Sequence, residues 1–405
     1  MIDTKPIYVI VTPFFPSPEN WRGPYCYDFA KAVVKDGRFD VRVFVPGDGE
    51  AYEYHGIRVK TFRQRMLPSS VFPFLFERWN AQNFLKACQD EGVELSAVAV
   101  CHAHTAFYSV YALAMKKMNP SCLALLHHHD PQSFGLNTGA LCHFWPYNFM
   151  EYPILRKYHE KIDIHVFISK VVKESFINVP NTSWTSYQKY KKQFRGLGFY
   201  RGVNINKSLI LHNGIDTSLF NSIGRLVNNS DKFTIGCIGN FCDWKDQITL
   251  LRAVEILIRR ERREITVRLI GTGPLLNMCK DFVRESGIQE FVSFEKECDH
   301  SLLPLFFRSL DLFVLPSYFE GFGCVFTESW ACGTPFITCE GQGMDELIPA
   351  RERRYWLAKV RSSEDLTRKI LFYMENRSAI KQHLNGEIDI DKLVPRFLDK
   401  IFEDK

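Results

Sequence analysis

The most informative segment of the chain runs from Asp311 to Pro349 and reads DLFVLPSYFEGFGCVFTESWACGTPFITCEGQGMDELIP. Asp311–Leu315 is a short apolar run, which predicts a strand. Gly321-Phe322-Gly323 predicts a loop whose backbone N–H groups can approach a ligand closely. A helix is predicted from about Cys324, so that its N-terminus follows the loop directly.

The second half of the same stretch predicts a return to the sheet. Gly333 fits a helix end, and Thr334-Pro335 prevents the helix from continuing. Phe336–Cys339 is predicted to be the next strand, and Gly341-Gln342-Gly343 opens a further turn. The stretch therefore predicts a strand–loop–helix–strand unit with two glycine-rich turns.

Two glutamates accompany the first glycine loop. Glu320 precedes the loop, and Glu328 lies about one turn into the predicted helix. Backbone amides and a helix N-terminus suit a diphosphate, and carboxylates accept hydrogen bonds from hydroxyl groups of a sugar and a ribose. The pattern indicates a site for a nucleotide-diphosphate sugar.

The segment resembles the E-x7-E signature of the retaining GT-B glycosyltransferases, in particular family GT4. The matching positions are Ser317, Glu320, Gly321, Phe322, Gly323, Glu328, Ala331, Cys332, Gly333 and Pro335. Ser329 stands where the family has Ala. The resemblance implies that Glu320 holds the donor sugar hydroxyls, that Glu328 holds the ribose hydroxyls, and that the amides near Gly321, Phe322, Gly323 and Cys324 bind the diphosphate.

Further motifs of the C-terminal half extend the resemblance. The segment from Gly239 and Asn240 to Lys245 resembles the family's G-R-L-x-x-x-K-G, in which Arg and Lys grip the donor diphosphate. Lys245 matches the Lys, and Asn240 replaces the Arg. Gly271-Thr272-Gly273-Pro274 resembles the family's G-x-G-P turn.

Two more loops are matched with substitutions. Gly343-Met344-Asp345-Glu346 resembles the family's G-G-x-x-E loop with Gln342 in place of the first Gly, and this implies a sugar role for Glu346. Gly23 resembles the N-terminal glycine loop near the donor phosphates and the acceptor, where the usual Gly-Gly is Arg22-Gly23.

Strand–helix alternation in both halves predicts parallel sheets covered on both faces. At 405 residues, two domains are expected. The resemblance implies an α/β protein of two Rossmann-like domains facing across a cleft, the GT-B fold, with ligands at the carboxyl ends of the strands. The expected divisions are an N-terminal acceptor-binding domain (1–216), a linker (217–231), a nucleotide-sugar-binding domain (232–385) and a C-terminal helical segment (386–405) that packs back on the N-terminal domain.

The histidines of the N-terminal half invite a metal interpretation. His127-His128-His129-Asp130 ends a predicted strand, and His102, His104 and His143 are also present. Successive strand residues point to opposite faces, so adjacent histidines cannot all bind one ion easily, and no metal site is predicted. The family has a His at this strand end that faces the junction of donor and acceptor. His129 aligns best with it, and His128 is the alternative.

The sequence contains one acidic pattern that resembles a metal-binding motif. Asp389-Ile390-Asp391 fits a D-x-D metal motif, but it precedes a predicted C-terminal helix and is interpreted as a helix cap. We therefore expect neither a metal nor a cofactor, with the nucleotide-diphosphate sugar as donor substrate.

Composition is that of a globular protein, with 46% hydrophobic and 24% charged residues and a net charge of +5. The 12 cysteines form no C-x-x-C pair and sit singly in apolar surroundings, which favours a reducing cytosol. No stretch approaches the roughly 18–20 apolar residues of a membrane span, and the N-terminal apolar run is interpreted as a strand. These features predict a cytoplasmic protein.

Two stretches, residues 58–79 and 175–215, are rich in basic and aromatic residues. The second stretch contains no acidic residue. The two stretches allow two interpretations of what this part of the surface contacts. One interpretation is a pair of solvated loops, and the other is peripheral contact with the anionic inner face of a membrane or with a phosphate-bearing acceptor. No motif supports nucleic-acid binding.

Together these features predict a retaining, metal-independent glycosyltransferase that moves a sugar from a nucleotide-diphosphate donor to a glycan or lipid-linked glycan. Family habit points to bacterial polysaccharide biosynthesis. The alternatives are a glycoside hydrolase or phosphorylase, which would leave the diphosphate-type Lys and the glycine loops without a role, and a non-catalytic nucleotide-sugar-binding protein.

Overall fold

A computed structural model of the chain describes residues 5–17, 23–65, 76–105, 108–129, 158–177, 205–225 and 232–403. Arg22, Asp130, His143 and most of the basic stretch 175–215 lie outside these ranges. Internal contacts divide the chain into two compact units. Of the described residues, 5–177, 205–214 and 389–403 belong to the N-terminal unit, within the gaps given above, and 215–225 and 232–388 belong to the C-terminal unit.

The N-terminal unit is built on one sheet. Its described strands are β1 (Ile7–Val11), β2 (Asp40–Pro46), β3 (Tyr52–Tyr54), β4 (Ile57–Phe62), β5 (Val98–His104), β6 (Leu123–His128), β7 (Ile164–Phe167) and β8 (Ser208–Ile210). Its first described helices are α1 (Pro24–Asp36), α2 (Glu77–Asp90), α3 (Ser109–Met118) and α4 (Lys170–Ile177). The strand order is β3-β4-β2-β1-β5-β6-β7-β8, and every pair is parallel except the β3–β4 hairpin.

Both faces of this sheet are covered because its side chains alternate. Tyr8 and Ile10 of β1 belong to the hydrophobic cluster that includes Phe29 of α1. Val9 and Val11 belong to the cluster on the other face, with residues of α2 and α3. The alternation explains why the strand has no polar face: both of its sides are buried.

The C-terminal unit repeats the plan with a second sheet. Its strands are β9 (Phe233–Ile238), β10 (Ile265–Ile270), β11 (Val292–Glu295), β12 (Leu312–Val314), β13 (Phe336–Cys339) and β14 (Leu357–Ala358), in the order β11-β10-β9-β12-β13-β14 with all pairs parallel. The helices are α5 (Gln247–Arg259), α6 (Leu276–Glu285), α7 (Leu303–Arg308), α8 (Cys324–Ala331), α9 (Arg353–Trp356) and α10 (Ser363–Asn376). The predicted alternation of strands and helices in two parallel sheets is confirmed.

A last helix, α11 (Ile390–Phe402), belongs by its contacts to the N-terminal unit. Phe397 packs its ring against Phe29 of α1 at 5.9 Å between centroids. The N-cap residue is Asp389, whose side chain accepts a hydrogen bond from the backbone N–H of Asp391. Asp391 also forms an ion pair with Lys35 of α1. An apolar stripe and charges near both ends therefore hold this helix on α1.

Residues 215–225 belong by their contacts to the C-terminal unit, although the sequence places most of them in a linker. Phe220 is buried, and its ring lies 5.0 Å from that of His300 and 6.4 Å from that of Phe307. A polar stretch can be anchored by one aromatic residue, and composition alone does not reveal this.

Candidate functional site

The two glycine-rich turns of the segment 311–349 are in contact. The backbone N–H of Glu320 donates to Oε1 of Gln342 over 2.8 Å, and the N–H of Gly343 donates to the carbonyl of Glu320 over 3.1 Å. A Cβ on Gly343 would lie 1.8 Å from the carbonyl oxygen of Gly321. Glycine is required at this point because the two backbones leave no room for a side chain. Gln342, which replaces a family Gly, has become part of the loop's own hydrogen bonding.

Helix α8 starts at Cys324, directly after this loop. Its N-cap residue is Gly323, with φ of 80°, a conformation that favours glycine. Cys324 is partly exposed, whereas the Phe322 side chain is buried and packs into the unit. The Phe322 side chain is therefore part of the core, and only its backbone could contact a ligand.

Lys245 and Glu320 meet although 75 residues separate them in the chain. Lys245 Nζ donates to Glu320 Oε2, and the two side chains are 20% and 12% exposed. Lys245 ends a short 3-10 turn, Asp243–Lys245, that precedes α5. The pair holds a cation and an anion, both mostly shielded from solvent, beside the first glycine loop.

Gly239 and Asn240 lie between β9 and this turn. Their carbonyl groups accept hydrogen bonds from Nε2 of Gln247, over 3.3 and 2.9 Å. Asn240 is exposed. Gln247, on the first turn of α5, thus shapes the loop that carries Lys245, a role that no sequence motif indicated.

The G-x-G-P turn after β10 packs against the same loop. Gly271 and Gly273 have φ of 145° and 146°. A Cβ on Gly271 would lie 2.2 Å from the carbonyl oxygen of Gly239, and one on Gly273 would lie 2.5 Å from that of Phe241. Phe241 donates its N–H to the carbonyl of Thr272 over 2.7 Å. The turns at the carboxyl ends of β9 and β10 are therefore locked together.

Glu328 is buried in α8 and has one oxygen engaged. Its Oε1 forms a 2.9 Å hydrogen bond with Nε2 of His300, and its Oε2 has no partner. A buried carboxylate oxygen without a partner is costly and is well suited to receive a hydroxyl from a ligand. His300, at the start of the 3-10 turn His300–Leu302, was not singled out from the sequence because it matches no motif.

Three further acidic residues belong to the turns and the helix start of this region: Asp243, Asp246 and Glu346. The Tyr318 hydroxyl donates to Asp243 Oδ2, and the Arg361 guanidinium lies 4.2 Å from the centre of the Tyr318 ring. Burial raises the pKa of Asp246, the N-cap residue of α5, to about 6. Glu346 is half-buried in the 3-10 turn Gly343–Leu347.

The predicted residues of the N-terminal unit are Gly23 and His129. Gly23 precedes α1 with φ of 83°, and a Cβ there would lie 2.8 Å from the carbonyl oxygen of Phe14. His129 is buried, its Nε2 lies 2.8 Å from Nδ1 of His104, and its ring lies 4.5 Å from that of Tyr25. Burial, and then the nearby His104, hold the pKa of His129 well below its ordinary value, so the imidazole is neutral.

His128 takes the opposite face of the sheet from its two neighbours. Its Nε2 lies 3.0 Å from Nδ1 of His165, and its ring stacks on that of Phe167. His127 and His129 instead stack on each other, with 4.3 Å between ring centres. The expected alternation along β6 is present.

The C-terminal unit thus brings together two contacting glycine-rich turns, the Lys245–Glu320 pair and the start of α8. Known proteins share the fold. The sucrose-phosphate synthase of Thermosynechococcus elongatus superposes with a TM-score of 0.66 at 16% identity, over 98% of this chain and 100% of that chain. Anabaena HepE, solved in complex with UDP and glucose, superposes with a TM-score of 0.63 at 16% identity, over 97% of this chain and 95% of that one. The fold is GT-B.

Sequence comparison extends this to the family. Residues 23–183 match the profile described as Glycosyltransferase Family 4, and residues 221–385 match that described as Glycosyl transferases group 1. The chain belongs to the retaining GT4 family of glycosyltransferases.

Curated relatives match over shorter stretches. The D-inositol 3-phosphate glycosyltransferase of Thermomonospora curvata is 27% identical over 164 residues, which is 35% of this chain and 38% of that protein. The putative glycosyltransferase EpsF of Bacillus subtilis is 32% identical over 191 residues, 39% of this chain and 48% of that protein. The chain thus matches less than half the length of these relatives.

Proposed function

We propose that this protein is a retaining glycosyltransferase that moves a sugar from a nucleotide-diphosphate donor to a hydroxyl of a glycan or lipid-linked glycan. The observation that carries the proposal is the Lys245–Glu320 ion pair beside the contacting glycine turns. A lone ion pair would serve stability only weakly, since its two charges are partly desolvated. A donor offers both groups new partners: a diphosphate for the ammonium and sugar hydroxyls for the carboxylate.

Leaving-group stabilisation is the task of Lys245 and the loop amides. As the bond between the sugar and the diphosphate breaks, negative charge grows on the phosphate oxygens. A cation and oriented N–H groups that are already in place stabilise this charge without reorganisation. Lys245, together with the backbone of Gly321, Gly323 and Cys324, supplies that environment, so the diphosphate needs no metal ion. The closely packed turns at Gly239, Gly271 and Gly273 form the adjacent surface of the proposed site.

Glu320 orients the donor sugar through its hydroxyls, and Glu328 presents its free Oε2 to the ribose. The acceptor hydroxyl attacks from the face that the diphosphate leaves. A departing phosphate oxygen takes the acceptor proton, so the reaction is balanced without a separate general base. Glu346 contributes a further contact to the sugar, and Gly23 and His129 belong to the part of the site on the N-terminal unit.

The proposal also covers the class of donor and the location of the enzyme in the cell. Relatives in this family include an α-(1-6)-mannosyltransferase of Mycolicibacterium smegmatis described as GDP-mannose-dependent, and HepE was solved with UDP-glucose. We therefore place the donor of this chain among the nucleotide-diphosphate hexoses. We propose that the enzyme works in the cytoplasm, with peripheral contact at the inner membrane face if the acceptor is lipid-linked. No helix in the described ranges is both long and apolar enough to cross a bilayer.

Acceptor-dependent release of nucleotide diphosphate tests the function. UDP-, GDP- and ADP-hexoses are first screened for thermal stabilisation, and the donor that stabilises the protein is then assayed with glycan and lipid-linked acceptors. We expect nucleotide release coupled to a product whose anomeric configuration matches that of the donor. Glu320→Gln should abolish release, and Glu290→Gln, an exposed carboxylate of the same unit, should not. Free sugar released at the same rate without acceptor would indicate a hydrolase, and stabilisation without turnover would indicate a binding protein.

A further inference from the structure

Four histidines of the N-terminal unit share one face of the sheet. His102 and His104 alternate along β5, and His127 and His129 alternate along and just after β6. In the register of the two strands His104 lies opposite His127. The rings of His102 and His127 are parallel, with 5.2 Å between their centres, and His104 lies 4.6 and 5.0 Å from those two. Adjacent strand residues point to opposite faces, as His128 does, but residues two apart share a face.

All four of these imidazoles have a buried ring nitrogen without a partner, which in His129 is Nδ1. The other three side chains are the more deeply buried. His102 uses Nδ1 in a 2.8 Å hydrogen bond with the Tyr8 hydroxyl, and its Nε2 has none. His104 uses Nδ1 toward His129, and its Nε2 has none. Neither nitrogen of His127 has a partner. All three side chains are at most 2% exposed. Buried polar atoms in native proteins are almost always satisfied, so an unsatisfied group of three calls for an unseen partner.

We propose that His102, His104 and His127 bind one transition-metal ion of the zinc type. One ligand atom from each of the three lies within 4.8 Å of the others. Zinc–nitrogen bonds of roughly 2.0–2.1 Å place tetrahedral donors roughly 3.3 Å apart, so modest ring rotations complete the set. Three neutral imidazoles form an established zinc ligand set that leaves a fourth position for water. A cavity of about 10 Å³, lined by His104, His127 and His129 among others, has the size for that water.

The surroundings suit such an ion. The Tyr8 hydroxyl holds His102 through Nδ1 and leaves Nε2 for an ion, as partners of metal-bound histidines do. Phe29 and Phe397 pack against His102 and keep that side apolar. Within the described residues, the potential ligand groups here include no carboxylate, which disfavours calcium and magnesium. Cys26 lies 3.5 Å from Nδ1 of His104 and belongs, with His129, to a neighbouring alternative set.

Cobalt substitution of the full chain tests the proposal. The purified protein is exhaustively dialysed against a chelator and then titrated with Co²⁺. We expect one Co²⁺ per chain, intense visible absorption of the tetrahedral type, and displacement by one Zn²⁺. Thermal unfolding should shift upward with Zn²⁺, because a ligand that binds only the folded state stabilises it. A thiolate-to-cobalt band in the near ultraviolet would overturn the assignment in favour of the set that contains Cys26.

Variants decide which residues are responsible. His127→Asn should abolish stoichiometric uptake, and His165→Asn, a buried histidine on the opposite face, should leave it unchanged. Tyr8→Phe keeps every ligand and most of the packing, and it should weaken Co²⁺ binding about tenfold by freeing the orientation of His102. Circular dichroism establishes that each variant is folded. Absence of stoichiometric uptake by the wild type, or equal uptake by wild type and His127→Asn, would overturn the proposal and leave the proposed glycosyl transfer unaffected.

Discussion

Lys245 and Glu320 form an ion pair that joins the loop after β9 to the loop before α8. Both side chains are largely shielded from solvent. The backbone of Glu320 is fixed by the hydrogen bond that its N–H donates to Oε1 of Gln342. In the absence of donor, each charge neutralises the other. In the proposed mechanism, the donor replaces this internal pairing with contacts to its own diphosphate and hydroxyls, so both residues respond to the same ligand.

The first prediction is that Lys245→Ala and Glu320→Gln abolish transfer while the fold is kept. Each should lower kcat/KM by at least ~10²-fold, a typical loss for one electrostatic contact to the transition state. Steady-state kinetics with the stabilising donor measure the loss. Lys381→Ala removes an exposed cation of the same unit and should have no effect. Turnover like that of the wild type in either site variant would remove these residues from the mechanism.

A second prediction is that transfer needs no added Mg²⁺ or Mn²⁺ and continues when EDTA is added to the assay. Lys245 and the loop amides neutralise the diphosphate, so no ion is needed there. An ion at the histidine cluster of the N-terminal unit is buried, and brief chelation should not remove it. A strict requirement for Mg²⁺ or Mn²⁺, restored on adding the metal back, would contradict the metal-free mechanism.

The contact between the two glycine turns yields a third prediction. In Gly343→Ala the new Cβ would overlap the Gly321 carbonyl, so one backbone must move. We expect a loss of about 1–3 kcal/mol in the free energy of unfolding, as is typical of overpacking, together with weaker donor binding. Chemical denaturation and calorimetry with the donor measure the two effects. Gly49→Ala, where a Cβ meets nothing within 4 Å, is the matched control. Unchanged donor affinity and stability in Gly343→Ala would show that the two turns do not depend on each other.

The buried carboxyl of Asp246 yields a fourth prediction. Burial raises its pKa to about 6, against an ordinary value of about 4. The folded protein therefore binds a proton that the unfolded chain has lost, and this contribution to stability declines as pH rises from about 4 to about 6. Two pKa units correspond to about 3 kcal/mol as an upper estimate. Asp246→Asn removes this ionisation and keeps an oxygen that can accept from Thr249.

The free energy of unfolding of the wild type and of Asp246→Asn is measured by urea denaturation at pH 4 and at pH 7. The variant should gain stability relative to the wild type on going from pH 4 to pH 7. A difference between the two proteins that is the same at both pH values would show that Asp246 does not titrate in this range.

A fifth prediction concerns the membrane. If the acceptor is lipid-linked, the protein should co-sediment with anionic liposomes, each basic residue near the surface contributing about 1 kcal/mol, and the binding should weaken with salt. In the first basic stretch, Arg58 and Lys60 both pair with Glu91, over 2.7 and 3.2 Å, so these two charges are already engaged within the unit. The second stretch, which lies mostly outside the described residues, is therefore the one to test.

The variant for this test replaces four basic residues with Ser: Lys189, Lys191, Lys192 and Arg195. A control variant removes the same charge elsewhere by replacing Lys280, Arg351, Lys381 and Lys392. Only the first should lose liposome binding. Equal recovery in the supernatant with neutral and anionic liposomes at low salt would end the membrane hypothesis and favour a water-soluble acceptor.

Local features of the fold could be predicted from the sequence because short-range rules govern them. The helix begins at Cys324, as predicted, because its N-cap position has a positive φ, which favours glycine, and Gly323 occupies that position. Pro335, shortly after the end of the helix, prevents it from continuing. The strand predicted at Phe336–Cys339 is present over the same residues as β13. Apolar spacing and glycine positions act within a few residues of one another, so the sequence is enough to predict two α/β sheets and the glycine-rich loops that follow their strands.

Contacts between distant segments could not be predicted, because they depend on how the strands are ordered in each sheet. Gln342 bonds to the N–H of Glu320, and His300 bonds to Glu328, because the order of strands in the sheet brings their loops together. The histidine cluster formed for the same reason: period-two alternation put His102 and His104 on one face of β5, but only the pairing of β5 with β6 placed His127 beside them. Strand order depends on how whole surfaces pack, and no local pattern in the chain encodes which loops become neighbours.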